Sequence, residues 1–180
     1  MNAPTSELLQ DLTERTEKHL ATVKAWLDLP LATLQAKPSA EGWSVLECIE
    51  HLNLYGRFYL PEMAGKMQKT NYKEPLPTFK SSWLGEYFAN TMLPKESLNS
   101  MPTFKDKNPN GSRLDKQVLT EFVQQQEQTL QLLQQAATVN LTKTKTGITI
   151  SRFIRLRLGD TFRVVIYHNY RHIVQAQKLL

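Results

Sequence analysis

The chain has 180 residues, 41% hydrophobic and 22% charged, the balance of an ordinary soluble protein, and its length suits one domain over residues 1–180 with a proper core. A net charge of +5 speaks to solubility and loose association rather than to a site. The only concentration of cations is Arg152, Arg155, Arg157, Arg163 and Arg171; it lies in no recognisable nucleic-acid module, so no nucleic-acid partner is expected.

The first residues, Met1 to Glu7, lack the basic and apolar regions of a secretory signal. Leu8, Leu9, Leu12, Thr16, Leu20, Val23 and Leu27 then recur at helical spacing, which predicts a first helix over about 5–28. Thr5 or Ser6 can cap its start, and Pro30 prevents its continuation. His19 on this helix has no partner at ligand spacing and reads as an edge or surface histidine.

Pro38 and Gly42 punctuate a connector that leads to a second helix. Ser44 and Glu47 have the spacing of a capping box, and Trp43 and Cys48 that of a hydrophobic staple. Cys48, His51, Leu52, Tyr55 and Tyr59 share one side of this helix, which puts His51 at the margin of an apolar face. Pro61 should kink or end the helix. Cys48 is the sole cysteine, so no intrachain disulfide forms, which fits a reducing, cytoplasmic location. A buried small hydrophobe is its simplest role, with a reactive thiol or fourth ligand as the alternatives.

Residues 70–112 carry prolines at 75, 77, 94, 102 and 109 and read as a long irregular connection, either a binding loop or a mobile one. Within it, Ser81 to Met92 has the spacing of a short helix docked by Trp83, Leu84, Tyr87 and Phe88. A third long helix is expected from Ser112 to Ala137, with Ser112 and Asp115 as a capping pair and the glutamines at 124–126, 128, 131, 134 and 135 as a polar face. Ile148-Thr149-Ile150 has strand propensity but is too short to predict a sheet. The last helix should start at Asp160 as N-cap. No run approaches the ~20 apolar residues of a membrane span, so no membrane partner is expected.

The last helix carries His168 and His172 four residues apart, hence one above the other on the side that should meet other helices. Two imidazoles so placed can grip one metal ion, and His51 is the candidate third ligand. Three neutral imidazoles would hold a divalent ion and leave coordination positions open, where water or a thiol becomes a nucleophile. Packing against backbone or tyrosine accounts for the same pair, and periodicity cannot show that the two helix edges face each other. Tyr55 and Arg171 are candidates for contacting a substrate; a half-buried tyrosine stripe and a covered helix face are their structural alternatives.

Gly42-Trp43-Ser44-Val45-Leu46-Glu47-Cys48-Ile49-Glu50-His51-Leu52 resembles the G-W-S-x-x-E-x-x-x-H-L start of the second helix in the DinB-like superfamily. Leu158-Gly159-Asp160 and His168-Asn169-Tyr170-Arg171-His172-Ile173-Val174-Gln175-Ala176 resemble its last helix, with the H-x-x-R-H-x-x-Q-A pattern. The resemblance implies an all-α four-helix bundle, here with a long irregular connection between helices 2 and 3. It also implies a divalent ion, zinc or nickel, on His51, His168 and His172. Members include transferases that use a low-molecular-weight thiol, so thiol transfer to, or hydrolysis of, a small electrophilic substrate is the implied activity, with a homodimer among the implied assemblies. The other reading is a non-catalytic metal- or ligand-binding module involved in a stress response. Asn169 stands where the family often has an acidic residue.

Overall fold

The computed structural model describes residues 1–94 and 103–180. Among them the chain is mostly helical, with six α-helices and two small antiparallel sheets. The elements are β1 (Asn2–Pro4), α1 (Thr5–Trp26), α2 (Leu31–Gln35), α3 (Val45–Lys69), β2 (Thr78–Lys80), α4 (Trp83–Met92), a 3-10 turn (Lys105–Lys107), α5 (Gln117–Ala136), β3 (Lys145–Ile148), β4 (Ser151–Arg157) and α6 (Leu158–Gln177). Helices α1 and α3 each pack against both α5 and α6.

Apolar residues at helical spacing drive this packing. On α1, Leu8, Leu12, Thr16, His19, Val23 and Trp26 form the buried stripe. His19 is therefore buried and not at a surface edge, since it shares the inward phase of Thr16 and Val23. Its ring stacks on Tyr170 of α6 at 6.1 Å. The start of α1 has no side-chain cap; instead the Thr5 hydroxyl donates to the Leu76 carbonyl at 2.6 Å.

Helix α3 begins with both bonds of the capping box: the Glu47 N–H donates to Ser44 Oγ at 3.2 Å, and the Ser44 N–H to Glu47 Oε2 at 2.8 Å. Pro61 does not end this helix, which runs on to Lys69. Proline leaves the carbonyl one turn back without its N–H partner. Here that turn is solvent-facing, because Arg57 and Pro61 are both exposed, so water can satisfy the carbonyl. Tyr59, Leu60, Met63 and Met67 on the other side are buried and hold the helix in place.

Two predicted boundaries move, and one residue changes face. Helix α5 starts at Gln117, later than the expected Ser112, with Asp115 Oδ1 accepting from the Gln117 N–H at 2.8 Å. Gln126 leaves the polar face: it is buried, and its Oε1 accepts from Asn169 Nδ2 at 3.3 Å. Helix α6 starts at Leu158 with Arg157 as N-cap. Asp160 is fully buried and serves a neighbour instead, accepting from the Ser82 N–H and hydroxyl, both at 3.0 Å, at the start of α4.

Two small sheets add to the mostly helical chain that the sequence leads one to expect. Strand β1 pairs with β2, Ala3 opposite Phe79, and β3 pairs with β4, Thr146 opposite Leu156. In β3, Thr146 and Ile148 point inward and Lys145 outward, the alternation of a half-buried strand. The short helix within 70–112 is present as α4, but it docks through Gly85, Ala89, Leu84 and Phe88. Trp83 is 82% exposed and Tyr87 57% exposed. The rest of that connection also holds β2 and the 3-10 turn, while 95–102, including Pro102, lies outside the described residues.

The buried side chains form two clusters. On α6, Leu158, Phe162, Val165, Ile166 and Tyr167 belong to one, and Ile173 and Ala176 to the other. His168, Asn169 and His172 fall between them, so this stretch is a polar layer joining two apolar cores. No helix among the described residues is long and apolar enough to cross a membrane.

Candidate metal centre

Three histidines meet in that layer. One ligand atom from each of His51, His168 and His172 lies within 4.8 Å of the others. His51 Nε2 and His168 Nε2 are 3.2 Å apart. The three rings stand steeply to one another, at 64° to 88°. Such edges converge on a point and do not stack.

Backbone and side-chain bonds turn the rings. His51 Nδ1 donates to the Lys107 carbonyl at 2.7 Å. A carbonyl only accepts, so Nδ1 carries the proton and the Nε2 lone pair faces the cluster. His172 Nδ1 is 2.9 Å from Gln175 Oε1, and donation to that amide oxygen likewise frees its Nε2. Both bonds have the form of the outer contacts that orient metal-ligating histidines. Burial pushes the His51 pKa down to about 4 and that of His172 to about 3, and it takes His168 well below the usual histidine value. All three are neutral at pH 7, the form that ligates.

The donor set fits a divalent first-row ion. Two nitrogens at 2.0–2.1 Å from one tetrahedral ion lie about 3.3 Å apart, and the 3.2 Å between His51 and His168 is of that size. Three histidines leave coordination positions open, as in catalytic rather than purely structural sites.

Aromatic side chains wall the cluster. Trp43 lies 4.7 Å from His51 and 5.7 Å from His172 between ring centroids, and Tyr55 lies 5.0 Å from His51 and 4.8 Å from His168. The histidines open on a cavity of about 850 Å³, also lined by Tyr59, Phe88, Asn169 and Arg171. That volume suits a small molecule.

A model of the DinB superfamily matches residues 8–176. The chain belongs to the DinB superfamily. No curated protein and no solved structure matches it. The resemblance drawn from the two histidine-bearing motifs is thus met by a match over nearly the whole chain.

Each residue singled out in the sequence has a definite place. His51, His168 and His172 come together, and Tyr55 and Arg171 both line the same cavity. Cys48 does not join them: it is fully buried in the apolar cluster of Leu46, Ile49 and Leu52, and burial pushes its pKa up to about 12. His19 lies outside the cluster, and burial, with Arg15 second, takes its pKa down to about 4. Three participants had no place in the sequence reading of the site. The Lys107 carbonyl is a backbone group at the end of a 3-10 turn, with no residue-type signal. Trp43 reads as a staple, yet its ring also covers His51 and His172. Gln175 was legible in principle, since it sits three residues after His172, within reach on a helix.

Proposed function

We propose that this DinB-superfamily protein is a metal-dependent enzyme acting on a small electrophilic molecule, with His51, His168 and His172 holding one divalent ion, zinc or nickel, through their Nε2 atoms. The 3.2 Å approach of His51 and His168 Nε2, with the protons of His51 and His172 parked on Nδ1, carries this reading. A divalent ion at such a site supplies Lewis-acid charge that makes a thiol or water nucleophilic near neutral pH. The chain's own part is positioning. The Lys107 carbonyl and Gln175 hold two imidazoles in one tautomer and orientation. Trp43 and Tyr55 pack against the rings and narrow the access of bulk water. Tyr55 presents a hydroxyl, and Arg171 a cation, to a substrate in the cavity. We place transfer of a low-molecular-weight thiol above hydrolysis on the family resemblance. On the same ground we read α1, α3, α5 and α6 as the family's four-helix bundle and the assembly as a homodimer.

Elemental analysis of the purified protein tests the site. About one divalent ion per chain is expected, and His51→Ala, His168→Ala and His172→Ala should each lower occupancy under the same loading. A metal-free wild type after loading, or variants with full occupancy, would sink it. Activity is tested separately, with a panel of thiols and electrophiles. Bound metal without thiol-dependent or hydrolytic turnover would leave a binding module in place of an enzyme.

A further inference from the structure

The net charge of the chain is concentrated in one place. Residues 128–159 contain five cations and no acidic residue, and five is the net charge of the whole chain, so the remainder is balanced. The five are Lys143, Lys145, Arg152, Arg155 and Arg157, all on or beside the β3–β4 hairpin. The first four are exposed, and Arg157 is tied to β2 by donating to the Lys80 carbonyl.

Exposed apolar side chains sit among these charges. Phe153 is 82% exposed, with the Arg152 guanidinium 4.9 Å from its ring centroid, and Ile150 at the hairpin turn is 43% exposed. Neither is needed to close the core, which the hairpin reaches through Thr146, Ile148 and Leu156. Ile150 lines the cavity, as does Tyr87 of α4, whose ring stacks on Trp83 at 6.1 Å. The hairpin turn and Tyr87 of α4 therefore border one opening, with the exposed Trp83 stacked on Tyr87.

We infer that the β3–β4 hairpin docks this protein on an anionic bilayer surface, with Phe153 and Ile150 entering the interface and Arg152, Arg155, Lys143 and Lys145 facing lipid headgroups. Basic residues near an acidic leaflet attract it electrostatically, and aromatic and aliphatic side chains add apolar burial at the interface. The mixture favours lipid over nucleic acid. Single-strand binding relies on flat rings that stack on bases, whereas here an isoleucine sits at the turn and the only ring on the hairpin is Phe153. The expectation of no membrane partner rested on the lack of a spanning helix, and a peripheral surface needs none.

Co-sedimentation with vesicles tests this. The full-length protein should bind phosphatidylcholine vesicles containing about one third phosphatidylserine at low ionic strength, and release as salt rises. Pure phosphatidylcholine vesicles should retain at least tenfold less. Arg152→Glu/Arg155→Glu should weaken binding by at least about 25-fold, at roughly fivefold per cation lost, with the two added carboxylates acting in the same direction. Phe153→Ser should weaken it by about tenfold. These side chains are exposed, so far-UV circular dichroism should stay unchanged, and the salt titration of the wild type needs no variant. The inference is overturned by any of four results: no binding at low salt, equal binding to neutral vesicles, no loss in the double variant, or tighter binding to oligo-dT than to anionic vesicles. A change from dimer to monomer in Phe153→Ser without lipid would instead make the hairpin a contact between copies, and would also overturn it.

Discussion

The Lys107 carbonyl accepts the Nδ1 proton of His51 at 2.7 Å across 56 residues of chain. The 3-10 turn Lys105–Lys107, packed on α3, thus orients an imidazole of that helix. The bond uses the backbone, so side-chain and backbone changes at this position should separate. Lys107→Ala should keep metal affinity close to the wild type. Lys107→Pro removes the N–H that donates to the Phe104 carbonyl at 2.9 Å and closes the turn. It should lower affinity by about 10–100-fold, the usual effect of losing an outer contact to a ligand. Competition with a chelating dye reads both; equal affinity in the two variants would refute the role given to the carbonyl.

Gln175 offers a second handle on the same geometry. Gln175→Leu keeps the side-chain bulk and removes the acceptor of the His172 Nδ1 proton. Metal affinity should fall by about tenfold or more. Gln175 is only partly buried, so the melting temperature of the metal-free protein should move little. A large drop in that temperature with unchanged affinity would make Gln175 a packing residue.

Ser44→Ala should destabilise the protein by about 1–2 kcal/mol, since it removes a buried helix cap and leaves the Glu47 N–H without its side-chain acceptor. Urea unfolding gives the number. Because the cap fixes the start of α3 two turns before His51, metal affinity is worth measuring in the same variant.

Gly159 is where α6 meets β2. A Cβ there would stand 2.5 Å from the ring of Phe79, which is buried. Gly159→Ala should cost about 1–3 kcal/mol through overpacking. Adding Phe79→Leu to it should recover part of the loss, which a double-mutant cycle in denaturant would show.

His19 makes stability depend on pH. It is 3% exposed, and its Nδ1 has no hydrogen-bond partner among the described residues. Its folded pKa, down to about 4 through burial, lies below the 6.5 of an unfolded histidine. The unfolded chain therefore binds the extra proton first. The stability held above pH 6.5 is lost as pH falls towards 4, with a slope of up to about 1.4 kcal/mol per pH unit for this one group. The metal-site histidines act in the same direction, so the comparison is between wild type and His19→Leu. The variant should lose less stability between pH 7 and 5, and parallel curves would refute the assignment.

The sequence made α3 and its histidine legible because the capping box fixes where that helix starts, and the start fixes the phase of His51. It placed His168 and His172 on one face for the same reason of period. That these edges meet depends on packing α3 against α6, which no local pattern encodes; the family motifs supplied it. Pro61 misled because a proline's cost depends on whether the freed carbonyl meets water, and exposure is a tertiary fact. Asp160 misled because a good cap residue can be spent on another helix. The β3–β4 hairpin went unpredicted because its outer positions are cationic and only Thr146, Ile148 and Leu156 mark its inner side.

Cys48 gives the protein a clock of its own. It is the only thiol in the chain, fully buried, with its pKa pushed up to about 12, and it sits one turn before His51. A thiol reagent can reach it only when α3 comes away from its neighbours, because the thiolate is the reactive form and water does not reach the sulfur. The labelling rate in native buffer therefore counts the openings of the same helix that carries the first histidine of the site. Followed with and without added metal, it reports how far an ion closes that helix down, with no substrate needed.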